Sequence, residues 1–148
     1  MKIDEVSEEN IANVFMMGVD CGQFLFGYVA ERVGISSDDA LKLSSAFGGG
    51  MGRGCACGAF TSGFMALGLK YGHYREVDMY ERRNTIIEKR AEYEKKFIEA
   101  NGSVYCRDLL GLDVSKPEEF MLAQEKQLFF TVCPKFVCAA CKIIDEMI

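Results

Sequence analysis

The chain has 148 residues, 17 basic and 22 acidic, and a formal charge of −5, with seven cysteines and 49% hydrophobic residues. That length predicts one domain over residues 1–148, large enough to bury a core. The acidic balance, with no basic stripe beyond Glu81-Arg82-Arg83, argues against a nucleic-acid partner, and no apolar run reaches the ~20 residues that membrane insertion as a helix requires. The start, Met1-Lys2-Ile3-Asp4-Glu5, is unlike a secretory leader, so a cytoplasmic location is expected.

In chain order the pattern predicts helices and almost no strand. Ser7-Glu8-Glu9-Asn10 supplies an N-cap with acids in the first turn, and the short helix it opens breaks near Gly18. A second helix is expected from Cys21 to Val33, stopped by Gly34. Ser36-Ser37-Asp38-Asp39 offers a capping box for a third, through Ala46. The glycine run Phe47 to Gly54 interrupts. A fourth helix, Cys57 to about Lys70, carries Gly58, Ala59, Ser62, Gly63 and Ala66 as a face that lets a neighbour come close. A long polar helix, about Glu76 to Ala100, places Met79, Ile86, Tyr93 and Phe97 on one stripe. After Asn101-Gly102, a start at Cys106 is followed by a capping box at Ser115-Lys116-Pro117-Glu118 before Phe120 to Phe130. The last helix runs from Cys133 to the end. The fold expected is all-α, a compact helical bundle of about six helices with a Gly-rich loop.

Cys21, Cys57, Cys106 and Cys133 all fall where a helix is expected to begin, Cys133 with Pro134 after it. A sulfur there meets unpaired N–H groups and the positive end of the helix dipole, about 0.3–1 kcal/mol per site, which is expected to lower the thiol pKa. In a reducing compartment such a set reads as metal-binding or redox-active rather than as a disulfide framework. Cys138 and Cys141 read instead as core fillers on an apolar helix face. Their spacing with Cys133, C-x4-C-x2-C, matches a plant-type ferredoxin run, but that run lies on an open loop and this segment reads as continuous helix. Cys55 shares a loop with Cys57 and is its most plausible substitute.

The glycine run lacks a following Gly-Lys-Ser/Thr and a preceding strand, which argues against a nucleotide loop. The better reading is that Gly49, Gly50 and Gly52, with Gly58, let backbone approach a cofactor, with Arg53 as counter-charge to an anionic cluster. His73 reads as a surface residue or helix cap, and Met16, Met17, Met51, Met65 and Met79 as core gap-fillers.

Asp20-Cys21-Gly22-Gln23, the glycine run with Cys57-Gly58-Ala59, Val104-Tyr105-Cys106-Arg107-Asp108-Leu109-Leu110-Gly111, and Cys133 opening an amphipathic helix together resemble the C-GCAxxG-C-C family of redox-active proteins over nearly the whole chain. Ser62 stands where that pattern has glycine, and Cys55, Cys138 and Cys141 are additional. The resemblance implies a small helical protein holding an iron–sulfur centre, leaning to 2Fe–2S, or performing thiol redox chemistry. On that reading the four cysteines hold a cluster and the protein carries electrons to a redox partner protein. The alternatives are a thiol–disulfide relay and structural Zn²⁺, which four thiolates also suit. No dedicated substrate pocket is visible in the sequence, so a redox subunit is expected rather than a stand-alone enzyme. The aromatic stripe of the long helix raises the expectation of a homodimer.

Overall fold

Ser7 accepts a hydrogen bond from the Asn10 N–H at 3.1 Å and starts helix α1 (Glu8–Met16), as its sequence predicts. The computed structural model describes residues 1–148. Asp20 and Gln23 form a reciprocal capping box for α2 (Cys21–Val29), and Ser36 caps α3 (Ser37–Ser44). Then follow α4 (Gly58–Tyr71), α5 (Met79–Asn101), α6 (Cys106–Leu110), α7 (Pro117–Glu125), α8 (Leu128–Thr131) and α9 (Cys133–Met147). There is no sheet, only an isolated antiparallel bridge between Ala56 and Tyr105.

The core forms around α2, whose Phe24, Leu25 and Val29 are wholly buried against α3, α4 and α9. Each such side chain contributes roughly 1.5–3 kcal/mol on leaving water. Helix α4 supplies the small face the sequence predicts, and α5 uses it: the Tyr93 ring lies over Gly63, and its hydroxyl donates to the Ala59 carbonyl at 2.8 Å. Phe60, Phe64, Tyr93 and Phe97 form one aromatic cluster, with ring centroids 4.5–6.0 Å apart.

Within the stripe on which a homodimer was expected, Tyr93 and Phe97 are fully buried in the monomer, while Met79 is 48% exposed.

Other departures have local causes. The expected second helix ends at Val29 and tightens into a 3₁₀ turn over Ala30–Val33 before Gly34, which adopts the left-handed conformation at φ 89°. Ser115 is not a cap: its hydroxyl and N–H both bond Asp113 Oδ1, and Lys116 precedes α7 with no side-chain cap. The segment expected as one helix over Phe120 to Phe130 is split at Gln127, a non-glycine residue at φ 55°. This split and the short α6 and α8 raise the count to nine helices where about six were expected. Met16, Met17, Met51 and Met79 are exposed rather than core fillers; Met65 alone of that group packs against the core. No single helix is long and apolar enough to cross a membrane.

Candidate functional site: four thiols around one cavity

The starts of α2 and α4 cross at glycine. A Cβ on Gly58 would lie 2.6 Å from Cys21 Sγ and 2.8 Å from the Gly22 nitrogen, so only glycine permits the approach. Across the same crossing the Ser62 hydroxyl donates to the Gly22 carbonyl at 2.8 Å. The serine that stands in place of the pattern's glycine thus ties the two helices together. Gly58 packs directly on the Cys21 sulfur, and the Cys21 and Cys57 thiols lie side by side. Cys21 is the first residue of α2 and Cys57 the N-cap of α4, as the sequence predicts.

A short two-stranded contact brings in the third thiol. The Cys57 N–H donates to Val104 O at 2.8 Å and the Cys106 N–H to Cys55 O at 2.7 Å. These bonds place Cys106, first residue of α6, beside the start of α4. Cys133 opens α9, directly after α8 and before Pro134. All four cysteines line a single cavity of about 750 Å³.

The glycine run forms one wall. Gly49, Gly50, Met51, Gly52 and Gly54 all have positive φ, between 60° and 68°, and a side chain at Gly50 would collide with the Cys55 backbone. Gly49, Gly50, Gly52 and Gly58 border the cavity as expected. Arg53 does not. It is exposed and lies outside the wall, because the loop turns its last residues toward Arg107 and Asp113.

Asp20 was not anticipated as a site residue. Its carboxylate borders the cavity, accepts the Gln23 N–H at 3.0 Å and packs closely on Gly48. It therefore seats the glycine loop against the start of α2, and burial holds its carboxyl above the ordinary value despite nearby backbone N–H groups. The signal in the sequence was the pair Asp20 and Gln23, a capping box just before Cys21's helix.

Burial reverses the expected acidity of three thiols. Cys21 is pushed well up, first by its hydrogen bond to Cys57 and then by desolvation. Cys106 is pushed up to about 12 and Cys133 higher still, desolvation leading in both. A helix start contributes about 0.3–1 kcal/mol, less than the 1.36 kcal/mol of a single pKa unit, so desolvation wins. These are protonated thiols until a bound cation displaces the proton.

The other three cysteines lie elsewhere. Cys138 and Cys141 are buried in the core on the continuous helix α9, as expected. Cys55 is half-exposed outside the cavity wall, its thiol 3.8 Å from the Arg53 carbonyl. His73 is exposed beyond the end of α4. No three His, Cys, Asp or Glu side chains gather closely enough to hold one metal ion.

The cavity was not foreseen from the sequence. Its wall also includes the apolar Leu109, Leu110, Val114, Phe120, Phe129 and Phe130, of which Phe120 and Phe129 stand on either side of the helix break at Gln127.

Against known families, residues 19–147 match the model described as "Putative redox-active protein (C_GCAxxG_C_C)". The chain belongs to this family. The match takes in all four cavity cysteines and the glycine loop. No curated protein and no solved structure matches the chain.

Proposed function

We propose that this member of the C-GCAxxG-C-C family is a small electron-transfer protein whose Cys21, Cys57, Cys106 and Cys133 hold an iron–sulfur cluster, 2Fe–2S by the family resemblance. The observation that carries the reading is the meeting of four thiols, from four separate helix starts, in one glycine-walled cavity. The donor set, four thiols bordering one cavity, is one that iron–sulfur clusters and tetrahedral Zn²⁺ both use, with Cys21 and Cys57 side by side and Cys106 and Cys133 on the same wall. A bound cluster would supply one-electron chemistry at a potential tuned by hydrogen bonds and burial. The chain's part is to desolvate the sulfurs and to let glycine backbone approach closely. A redox partner protein and a cytoplasmic setting belong to the same proposal.

The contact between the Cys21 and Cys57 thiols favours a second reading, a thiol–disulfide couple. Forming that disulfide would release two electrons and two protons to an oxidised thiol partner. The raised pKa of Cys21 weighs against it, since the attacking species is the thiolate. Anaerobic purification decides: iron and acid-labile sulfide with visible absorption support the cluster, and a colourless, iron-free protein with a dithiol that oxidises reversibly supports the couple.

A further inference from the structure

The cavity extends well past the thiols. At about 750 Å³ it falls within the roughly 300–1,000 Å³ of small-molecule sites, whereas a cluster of a few atoms would occupy only the cysteine end. Part of its wall is made of phenyl rings from α7 and α8, Phe120, Phe129 and Phe130. Phe120 and Phe129 meet with centroids 5.6 Å apart, and Phe120 and Phe130 are 39% and 38% exposed, although phenyl rings gain strongly by leaving water.

Charge selects among occupants. No Lys, Arg or His borders the cavity, so a free anion beside the thiols would find no counter-charge and would be repelled by the net negative charge of a thiolate-held cluster. Amides of the glycine loop are already committed, Met51 to the Phe47 carbonyl and Cys55 to the Gly50 carbonyl, each at 3.2 Å, which removes them from any phosphate cradle. Asp20, the one carboxylate, already accepts the Gln23 N–H at 3.0 Å. A neutral molecule is what remains. Gln124 also borders the cavity, from the exposed side of α7, and its side-chain amide can donate to a carbonyl.

We propose that the phenyl-lined part of the cavity binds a neutral, planar ring system of quinone type, one or two fused rings in size, against Phe120, Phe129 and Phe130 with a carbonyl toward Gln124. The choice of a quinone over another neutral ring rests on the electron-transfer reading of the thiols; the apolar ring site stands without it.

The test uses the full chain as purified, with N-phenyl-1-naphthylamine as a neutral fluorescent probe. Duroquinone, whose ring carbons are all methylated and closed to thiol addition, serves as competitor. The expected result is saturable probe binding at one site, displacement by duroquinone, and no displacement by anthraquinone-2-sulfonate at the same concentration. Phe120→Ser and Phe130→Lys, both at exposed positions, should each weaken probe and duroquinone binding about tenfold while iron per chain and thermal midpoint stay at the parent's values. Gln124→Ala should weaken duroquinone and leave the probe unchanged. Absence of saturable binding, equal competition by the sulfonate, or unchanged affinities in both phenylalanine variants would overturn the proposal. Displacement by duroquinone from an iron-free protein would keep the ring site and overturn the electron-transfer reading; an iron-loaded protein that binds no ring would do the reverse.

Discussion

Gly58, the first residue of α4, packs directly on the sulfur of Cys21, the first residue of α2. A methyl group at Gly58 would stand 2.6 Å from that sulfur. Gly58→Ala is therefore expected to force the two helix starts apart and to cost about 1–3 kcal/mol, the usual range for overpacking. Gly68→Ala, in the same helix with open space around it, should be neutral or stabilising by up to about 1 kcal/mol. Urea denaturation of the two variants checks both, and equal behaviour would refute the close crossing.

Tyr93→Phe should cost about 1 kcal/mol, because it removes the buried hydroxyl that donates to Ala59. Gly63→Ala should cost far more, since the Tyr93 ring occupies the space of the new methyl. Thermal midpoints in that order, parent highest and Gly63→Ala lowest, are the expected outcome.

Gln127 and Met51 are the two non-glycine residues with positive φ, at 55° and 61°. The left-handed region costs an ordinary residue roughly 1–2 kcal/mol, partly offset by the entropy glycine loses on folding. Gln127→Gly should raise the denaturation midpoint, by up to about 1 kcal/mol. A lower midpoint would place that turn outside the left-handed region.

How much of this was legible follows from the kind of signal each element carries. Caps are local, so Ser7 and Ser36 announced α1 and α3, and the four cysteines at helix starts could be picked out by the breaks before them. Gln127 carries no turn signature, since neither glycine nor proline marks it, and the split of α7 from α8 went unread. With it went the aromatic part of the cavity. Periodicity picked out the stripe of α5 but not what covers it: Tyr93 and Phe97 pack within the monomer and Met79 stays exposed. The sign of the thiol shifts depends on desolvation, which only the folded chain displays.

Burial also sets the behaviour of Cys141. Desolvation, with the charge of Asp145, raises its thiol above the ordinary value of 9.0, so the native state holds that proton more tightly than the unfolded chain. The stabilisation is complete below pH 9 and is lost as pH rises beyond it, at no more than about 1.36 kcal/mol per pH unit. Cys141→Ala should flatten the alkaline limb of a stability–pH curve. Iodoacetamide at pH 8 should label the half-exposed Cys55 in the native protein and reach Cys141 only on unfolding.

The central claim, that the cavity thiols and no others hold the cofactor, is tested most directly by iron and acid-labile sulfide per chain in seven anaerobically purified Cys→Ser variants. Cys21→Ser, Cys57→Ser, Cys106→Ser and Cys133→Ser should each lose most of both, serine being a poor ligand for soft metal. Cys55→Ser, Cys138→Ser and Cys141→Ser should retain them. Full retention in Cys133→Ser, with loss in Cys138→Ser or Cys141→Ser, would contradict the account.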